Sequence, residues 1–383
     1  MQLTVSRRDL LTGSLAAAAI AFARQPLLFG FADPAAGEEL IPFLDEQPVN
    51  PERPMVQWDQ LKDFVTPNEQ FFSVSHYGTP SVTPAEWRLE IAGMVERPRS
   101  WSLDELKALP KQEYLATLEC SGNGASPKFM GAIGNARWSG TPLAPLLAQC
   151  GLAAHATEIV FYGADQGTEK IREQEYPQNF GRSLSRENAL KDDVLLAYEM
   201  NGEPLAVGHG QPVRLIVPGW YGIAWVKWLN RIEAVDRRFM GRFMARDYVT
   251  IRGEQQGDRT IWRETSVGPM NVKSLVGRVT RQADGGIQVN GAAWTDGTPL
   301  KSVELSIDGG DWLPAELHQD EQAEHAWTFW SVPWPDAQPG EHTLVSRATD
   351  AAGRVQPAAD DPAIALKKTY WEANQQYPRR IKI

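Results

Sequence analysis

Cys120 closes a short apolar run, Tyr114 to Leu118, and opens into Ser121-Gly122-Asn123-Gly124, where glycine lets the backbone approach a ligand closely. A thiolate there suits a soft metal, which would hold the sulfur deprotonated at neutral pH. The only other cysteine is Cys150, so a disulfide between the two is the competing reading in an oxidising compartment. Arg214 and Lys227 stand in otherwise apolar surroundings, Val213 to Val217 and Trp225 to Leu229. A cation in such a place needs an anionic partner to be worth burying, and a phosphate would serve. Arg137, beside Trp138, reads as an anion contact or as an ion-paired surface residue. His76 and His209 read, as bare positions, as core or loop histidines as readily as ligands. Two cysteines and six histidines with no H-E-x-x-H fall short of a four-ligand zinc or iron–sulfur pattern, and no C-x-x-C-H attaches a haem.

The elements that must position these residues follow from periodicity and caps. Leu103 to Leu109 and Pro142 to Cys150 read as helices, the first begun by Ser102 as N-cap with Glu105 three residues on. Short apolar runs, Ile159 to Tyr162, Val194 to Tyr198 and Val213 to Val217, read as strands. This mixture predicts an α+β fold class, with a mixed α/β first domain over residues 61–262. Beyond about residue 270 the pattern turns to alternation, as in Val303, Leu305 and Ile307, closed by the turn Asp308-Gly309-Gly310. Further runs at Ile287 to Trp294, Trp327 to Val332 and His342 to Ala348 predict a β-sandwich over 263–383. Arg237 to Gly257 has loop character and reads as the join. Residues 24–60, punctuated by Pro42, Pro48, Pro51 and Pro54, read as an extended arm leading into the first domain.

At the N-terminus Ser6-Arg7-Arg8-Asp9-Leu10-Leu11 precedes a small apolar run ending in Ala21-Phe22-Ala23. This predicts a twin-arginine signal over 1–23 and a place in the periplasm or outside the cell. The run is shorter than the roughly 20 residues that span a bilayer. A formal net charge of -10 repels a phosphate backbone, and no basic stripe overrides it, so nucleic acid is excluded as a partner.

Several stretches then carry a resemblance: PNEQFFSVSHYGTP (Pro67 to Pro80), TLECSGN (Thr117 to Asn123), LLAYEMNGEPLAVGHGQPVRLIVPG (Leu195 to Gly219) and VKWLNRI (Val226 to Ile232). ARWSG (Ala136 to Gly140) lies between them and NVKS (Asn271 to Ser274) beyond. In this order, from about residue 60 to the C-terminus, the chain resembles the sulfite oxidase family of molybdopterin enzymes, with its sulfite and sulfane dehydrogenases. The resemblance implies one molybdenum-molybdopterin per chain, with Cys120 as the protein ligand to the metal and therefore free of Cys150. It implies that Phe72, Ser73, Val74, Ser75 and His76 form a loop against the pterin. Asp165, His209, Arg214, Trp225, Val226 and Lys227 match positions that hold the pterin and its phosphate, and Tyr198 matches the tyrosine near the metal's oxo group. It also implies an immunoglobulin-like fold for the β domain and a homodimer. With no haem motif in the chain, electrons pass to or from a c-type cytochrome or a membrane-bound quinone-linked subunit.

The departures bear on substrate. Sulfite-using members ring the oxo group with arginines, whose fork matches a doubly charged anion. Here Val74 and Ser75 replace the arginine and asparagine of the F-x-R-N-H loop, and Gly124 and Ala125 replace the paired arginines after the cysteine. Ala224 or Trp225, and Phe329 or Trp330, stand at two further arginine positions. Trp220, Tyr221, Trp225 and Trp330 read either as pocket lining or as core packing. The expected activity is oxygen-atom transfer on a small sulfur compound. Reduction of an organic S-oxide or N-oxide, and a binding or assembly protein without turnover, are the alternatives.

Overall fold

The computed structural model describes residues 37–45, 54–126, 129–318 and 323–383. The twin-arginine segment and part of the arm lie outside them. Strands dominate, and the longest α-helix among the described residues, Leu143–Cys150, has eight residues, so the expectation of a mixed α/β first domain is corrected to a strand-built one with short helices. The two helices read from the sequence both form. Leu103–Lys107 is closed at its start by a complete capping box of Ser102 and Glu105, which satisfies N–H groups that a helix start leaves unpaired. Leu143–Cys150 ends at Gly151 in the left-handed region. It buries Leu143, Leu146, Leu147 and Cys150, a spacing that puts them on one face.

Two sheets share the larger hydrophobic core. One runs in the order Arg214–Ile216, Leu195–Met200, Ile133–Pro142 and Gln112–Glu119. The other runs Arg99–Ser102, Arg88–Gly93, Leu229–Val235, Glu158–Ile171 and Gln174–Ser185. Two further sheets, built on Lys273–Arg281 with Ile287–Trp294 and on Leu300–Ile307 with Glu341–Asp350, contribute Val276, Val289, Val303, Leu305 and Leu344 to a second core. The alternation read at Val303, Leu305 and Ile307 falls within Leu300–Ile307. Trp330 is fully buried in that second core and donates from Nε1 to Ser274 Oγ at 3.0 Å, so it packs the core and does not line a pocket.

Two connections differ from their sequence reading. The described part of the arm pairs Glu39–Leu40 with Lys273–Arg281 and places Ile41 and Phe43 in the second core, while Trp58 joins the first. It therefore straps both cores. The supposed join contains the helix Arg242–Ala245 and the strand Val249–Gln256, which forms a hairpin with Arg259–Ser266 just beyond it. That hairpin reads as loop because its exterior is polar and charged, with Arg263 bonded across to Glu254 at 2.7 Å. Its pairing is cross-strand, which local hydrophobic period does not report.

Candidate active site

A cleft of about 670 Å³ is lined by every site residue that the resemblance implied except Tyr198 and Val226, while Arg137 lies outside it as an exposed residue 3.6 Å from Glu113. Cys120 sits at the end of the strand Gln112–Glu119, its N–H donating to Ala132 O at 2.9 Å. It is a free thiol, as is Cys150, so the two are not paired. Burial raises the Cys120 thiol above its ordinary value, while the N–H groups of Gly122 and Asn123 and the charge of Lys273 pull the other way.

The loop from Phe72 to His76 forms one rim. Phe71 anchors it, stacked on Phe72 at 5.6 Å and meeting Trp138 and His209 edge-on at 5.7 and 5.8 Å. Ser73 donates to Gly208 O at 2.7 Å, and Val74 is exposed at the rim.

Two cations line the cleft beside this rim. Arg214, on the strand Arg214–Ile216, is buried; it donates to the carbonyls of His209 and Trp225, both at 3.1 Å, and lies 5.0 Å from the Trp138 ring. Lys227 donates to Gly208 O at 2.8 Å and Ser73 Oγ at 3.0 Å and lies over the Trp228 ring. Gly210, at φ +105, lets these two come together, since a Cβ there would sit 3.1 Å from both side chains. Among the described residues no carboxylate forms a salt bridge with either cation. Burial lowers Arg214 to about 9, and burial followed by the charge of Arg214 lowers Lys227 to about 7. Burial, with Arg214 next, lowers His209 to about 4, so its imidazole is neutral at pH 7 and its Nε2 lies 3.3 Å from Asn68 O. Asp165 sits at the register shift between Tyr162 and Gln166, where a bulge re-aims side chains. Burial raises it to about 6.

A third wall is neutral and aromatic. His76 packs against Phe243 and Phe180, at centroid distances of 4.7 and 5.9 Å, and these two rings stack on each other at 4.7 Å. Although its edge is open to the cleft, this packing and then the charge of Arg242 lower it to about 4, so it too is uncharged. Its Nε2 is 2.9 Å from the Tyr248 hydroxyl, and burial raises the Tyr248 phenol well beyond its usual value. Tyr248 was missed in the sequence because it lies in the segment taken for a join. Its left-handed backbone, φ +58, is a strain that no local pattern announces.

Tyr198 is the corrected assignment. It is the extra residue where the register between Ile133–Pro142 and Leu195–Met200 slips at Ser139/Gly140. Its neighbour Ala197 keeps its pairing with Arg214, and the bulge re-aims the Tyr198 side chain. Tyr198 accordingly packs near Thr141 and under Lys107, whose Nζ is 5.6 Å from its ring. Val226 is buried and serves through its backbone, accepting from Leu215 N at 2.8 Å. Trp225 lines the cleft, while Trp220 and Tyr221 are not among its lining residues.

The donor set fits a phosphate-bearing pterin with a thiolate-bound metal. Three buried polar atoms of lining residues, Ser121 Oγ, Asp165 Oδ1 and Arg214 Nε, find no hydrogen-bond partner among the described residues, and such atoms call for a ligand. Two cations without carboxylate partners match an anion, and the one lining cysteine stands across the cleft floor.

Family models agree with this geometry. Residues 76–243 match an oxidoreductase molybdopterin binding domain and residues 267–372 a Mo-co oxidoreductase dimerisation domain. Sulfite oxidase of Gallus gallus is 33% identical over 330 residues, covering 79% of this chain and 70% of that protein. Mitochondrial sulfite oxidase of Drosophila melanogaster is 34% identical over 353 residues, 84% of this chain and 60% of that protein. The chain thus spans about 60% of the length of the insect and rodent relatives it matches. The crystal structure of the sulfane dehydrogenase SoxCD from Paracoccus pantotrophus superposes with a TM-score of 0.74 at 27% identity, covering 98% of this chain and 96% of that one. With the cysteine, the anion wall and both family domains in place, the chain belongs to the sulfite oxidase family of molybdopterin-dependent oxidoreductases.

Proposed function

We propose that this protein is a molybdenum-molybdopterin oxidoreductase that transfers an oxygen atom to or from a small, weakly charged sulfur compound and exchanges electrons with a separate redox protein. The observation that carries it is one cleft lined by Cys120, by the cations Arg214 and Lys227, and by the uncharged side chains of Val74, His76, Phe180 and Tyr248. When bound, the cofactor supplies the oxygen-atom transfer and the redox change. The chain's own residues do the rest. Arg214 and Lys227 neutralise and orient the phosphate, and Cys120 supplies the thiolate. Tyr248 keeps its proton at neutral pH and presents a hydroxyl, with His76 holding it in place. Trp225, Phe180 and Val74 exclude water and offer apolar contact.

Among the described residues Arg214 is the only guanidinium lining the cleft, and it donates to backbone carbonyls, whereas a sulfite or sulfate dianion is best held by such groups. This favours an uncharged substrate, so reduction of an organic S-oxide is the second reading. The test is a comparison of kcat/KM for sulfite, a sulfane compound and an aliphatic sulfoxide with artificial electron carriers. Poor sulfite turnover in Val74 enzyme, raised about tenfold or more by Val74→Arg, is the expected result. Efficient sulfite turnover in the parent protein would overturn the neutral-substrate reading.

We further propose export by the twin-arginine route on the strength of residues 1–23. We read a catalytic unit over 61–262 and an immunoglobulin-like dimerisation unit over 263–383; the matches to a molybdopterin binding domain over 76–243 and a dimerisation domain over 267–372 support the two-unit division. A homodimer and a cytochrome or quinone-linked electron partner complete the reading; sedimentation of the mature protein tests the dimer.

A further inference from the structure

The loop that carries Cys120 is held from behind by the other half of the molecule. Lys273, on a strand of the second core, has a fully buried side chain. Its ammonium donates to Glu119 Oε1 at 2.7 Å and to Asn123 O at 2.7 Å. Glu119, immediately before Cys120, is equally buried. It also accepts from Asn123 Nδ2 at 3.0 Å and from Trp294 Nε1 at 2.8 Å. Asn123 in turn accepts the Ala132 N–H at 3.0 Å. Trp294 is the cross-strand partner of Lys273, so both second-unit contacts come from one rung of one ladder. Gly124 completes the fit: at φ +90, a Cβ there would lie 2.6 Å from the Lys273 ammonium.

We propose that Lys273 is a positioning residue for Cys120, acting through Glu119 and Asn123, and that the metal-ligand loop reaches its working shape only when the second unit is folded against it. This rests on the reading of Cys120 as the metal ligand. The argument is geometric. The turn after Cys120 contains two glycines and has little intrinsic rigidity. A charge pair removed from water with its remaining lone pairs satisfied fixes its members in one arrangement. Pinning the residue before Cys120 and the residue three after it with one ammonium fixes the direction of the Cys120 side chain.

The test uses the full-length protein, with and without cofactor. In Lys273→Met, hydrogen exchange in the cofactor-free protein should accelerate about tenfold or more in peptides covering residues 120–126. Peptides from the strand Glu158–Ile171 should keep their protection. In the loaded protein, the thiolate-to-molybdenum charge-transfer absorption should shift, because it depends on how the sulfur is oriented toward the metal. Glu119→Gln combined with Lys273→Met leaves no lone buried charge and should recover part of the protection. Trp294→Phe, which removes one hydrogen bond and keeps the ring, supplies the milder case if Lys273→Met does not fold, with a smaller acceleration confined to the same peptides. Unchanged exchange at residues 120–126 together with an unchanged absorption band in a folded Lys273→Met or Trp294→Phe protein would overturn the proposal. If molybdenum never binds even to the parent protein, the Cys120 reading fails, while the exchange result still decides the positioning role.

Discussion

Lys227 and Lys273 are both drawn into the protein, and they are opposite in how their charge is answered. Lys273 is fully buried with a carboxylate at 2.7 Å and a network around it in which each member has a partner. Lys227 donates to carbonyl and hydroxyl oxygens and lies over the Trp228 ring; among the described residues neither it nor the neighbouring cation Arg214 forms a carboxylate salt bridge, and Asp165 acts on Lys227 only through space. The difference teaches how to separate framework from site. A compensated buried charge specifies a shape, while an uncompensated one waits for a ligand that brings the missing charge.

The strongest test of that distinction is Cys120→Ser, which removes the ligand and touches neither lysine. Molybdenum content and redox turnover should fall to background, with circular dichroism and thermal midpoint of the cofactor-free protein unchanged. Retained metal would break the site assignment. Next in size is the contrast between the lysines. Lys273→Met strands Glu119 as a lone buried carboxylate and should cost about 3–5 kcal/mol of stability, read by denaturant unfolding. Lys227→Met should leave the stability of the cofactor-free protein equal or slightly higher, yet weaken cofactor retention by about 10- to 100-fold, the worth of a charge-assisted hydrogen bond. Equal destabilisation by both would erase the comparison.

The pH dependence sharpens it further. Burial lowers Lys227 from 10.5 to about 7 in the folded protein without ligand. The unfolded chain therefore binds the extra proton between those values, and the stability due to this group rises as pH rises through that window. A bound phosphate reverses the preference by favouring the charged form. Binding of phosphate or cofactor at pH 8 should take up a proton, and affinity should fall as pH climbs above 7. Calorimetry in two buffers of different ionisation enthalpy checks this, with the uptake absent in Lys227→Met. The smallest expected effect is on the neutral wall. Tyr248→Phe removes one hydroxyl and its bond to His76 and should lower kcat about five- to tenfold with cofactor content unchanged. The same loss in Tyr198→Phe would return the role to the residue that the motif pointed to.

Much of the site was legible in the sequence, because the motif stretches are contiguous and carry their neighbours with them. Phe72 to His76, Cys120, His209, Arg214 and Lys227 all reach the cleft. The caps were equally local: Ser102 and Glu105 announce their helix by chemistry confined to four residues. Tyr198 failed for a specific reason. Motif matching gives a residue's place along the chain, and which face of a strand it occupies depends on register, which a single bulge resets. Tyr248 went unseen because its hairpin is polar on the outside and its role arises from meeting His76 across 172 positions of chain.

By itself, then, the sequence determined the family and put forward Cys120, Arg214 and Lys227 as candidates for the cofactor, with Val74 and Ser75 in place of arginine and asparagine, since these depend on residue identity at contiguous motifs. Only the tertiary structure decided which tyrosine faces the cleft, where the arm lies and that Lys273 braces the Cys120 loop. Those outcomes rest on strand register and on contacts between residues more than a hundred positions apart, where burial makes each charge and hydrogen bond decisive.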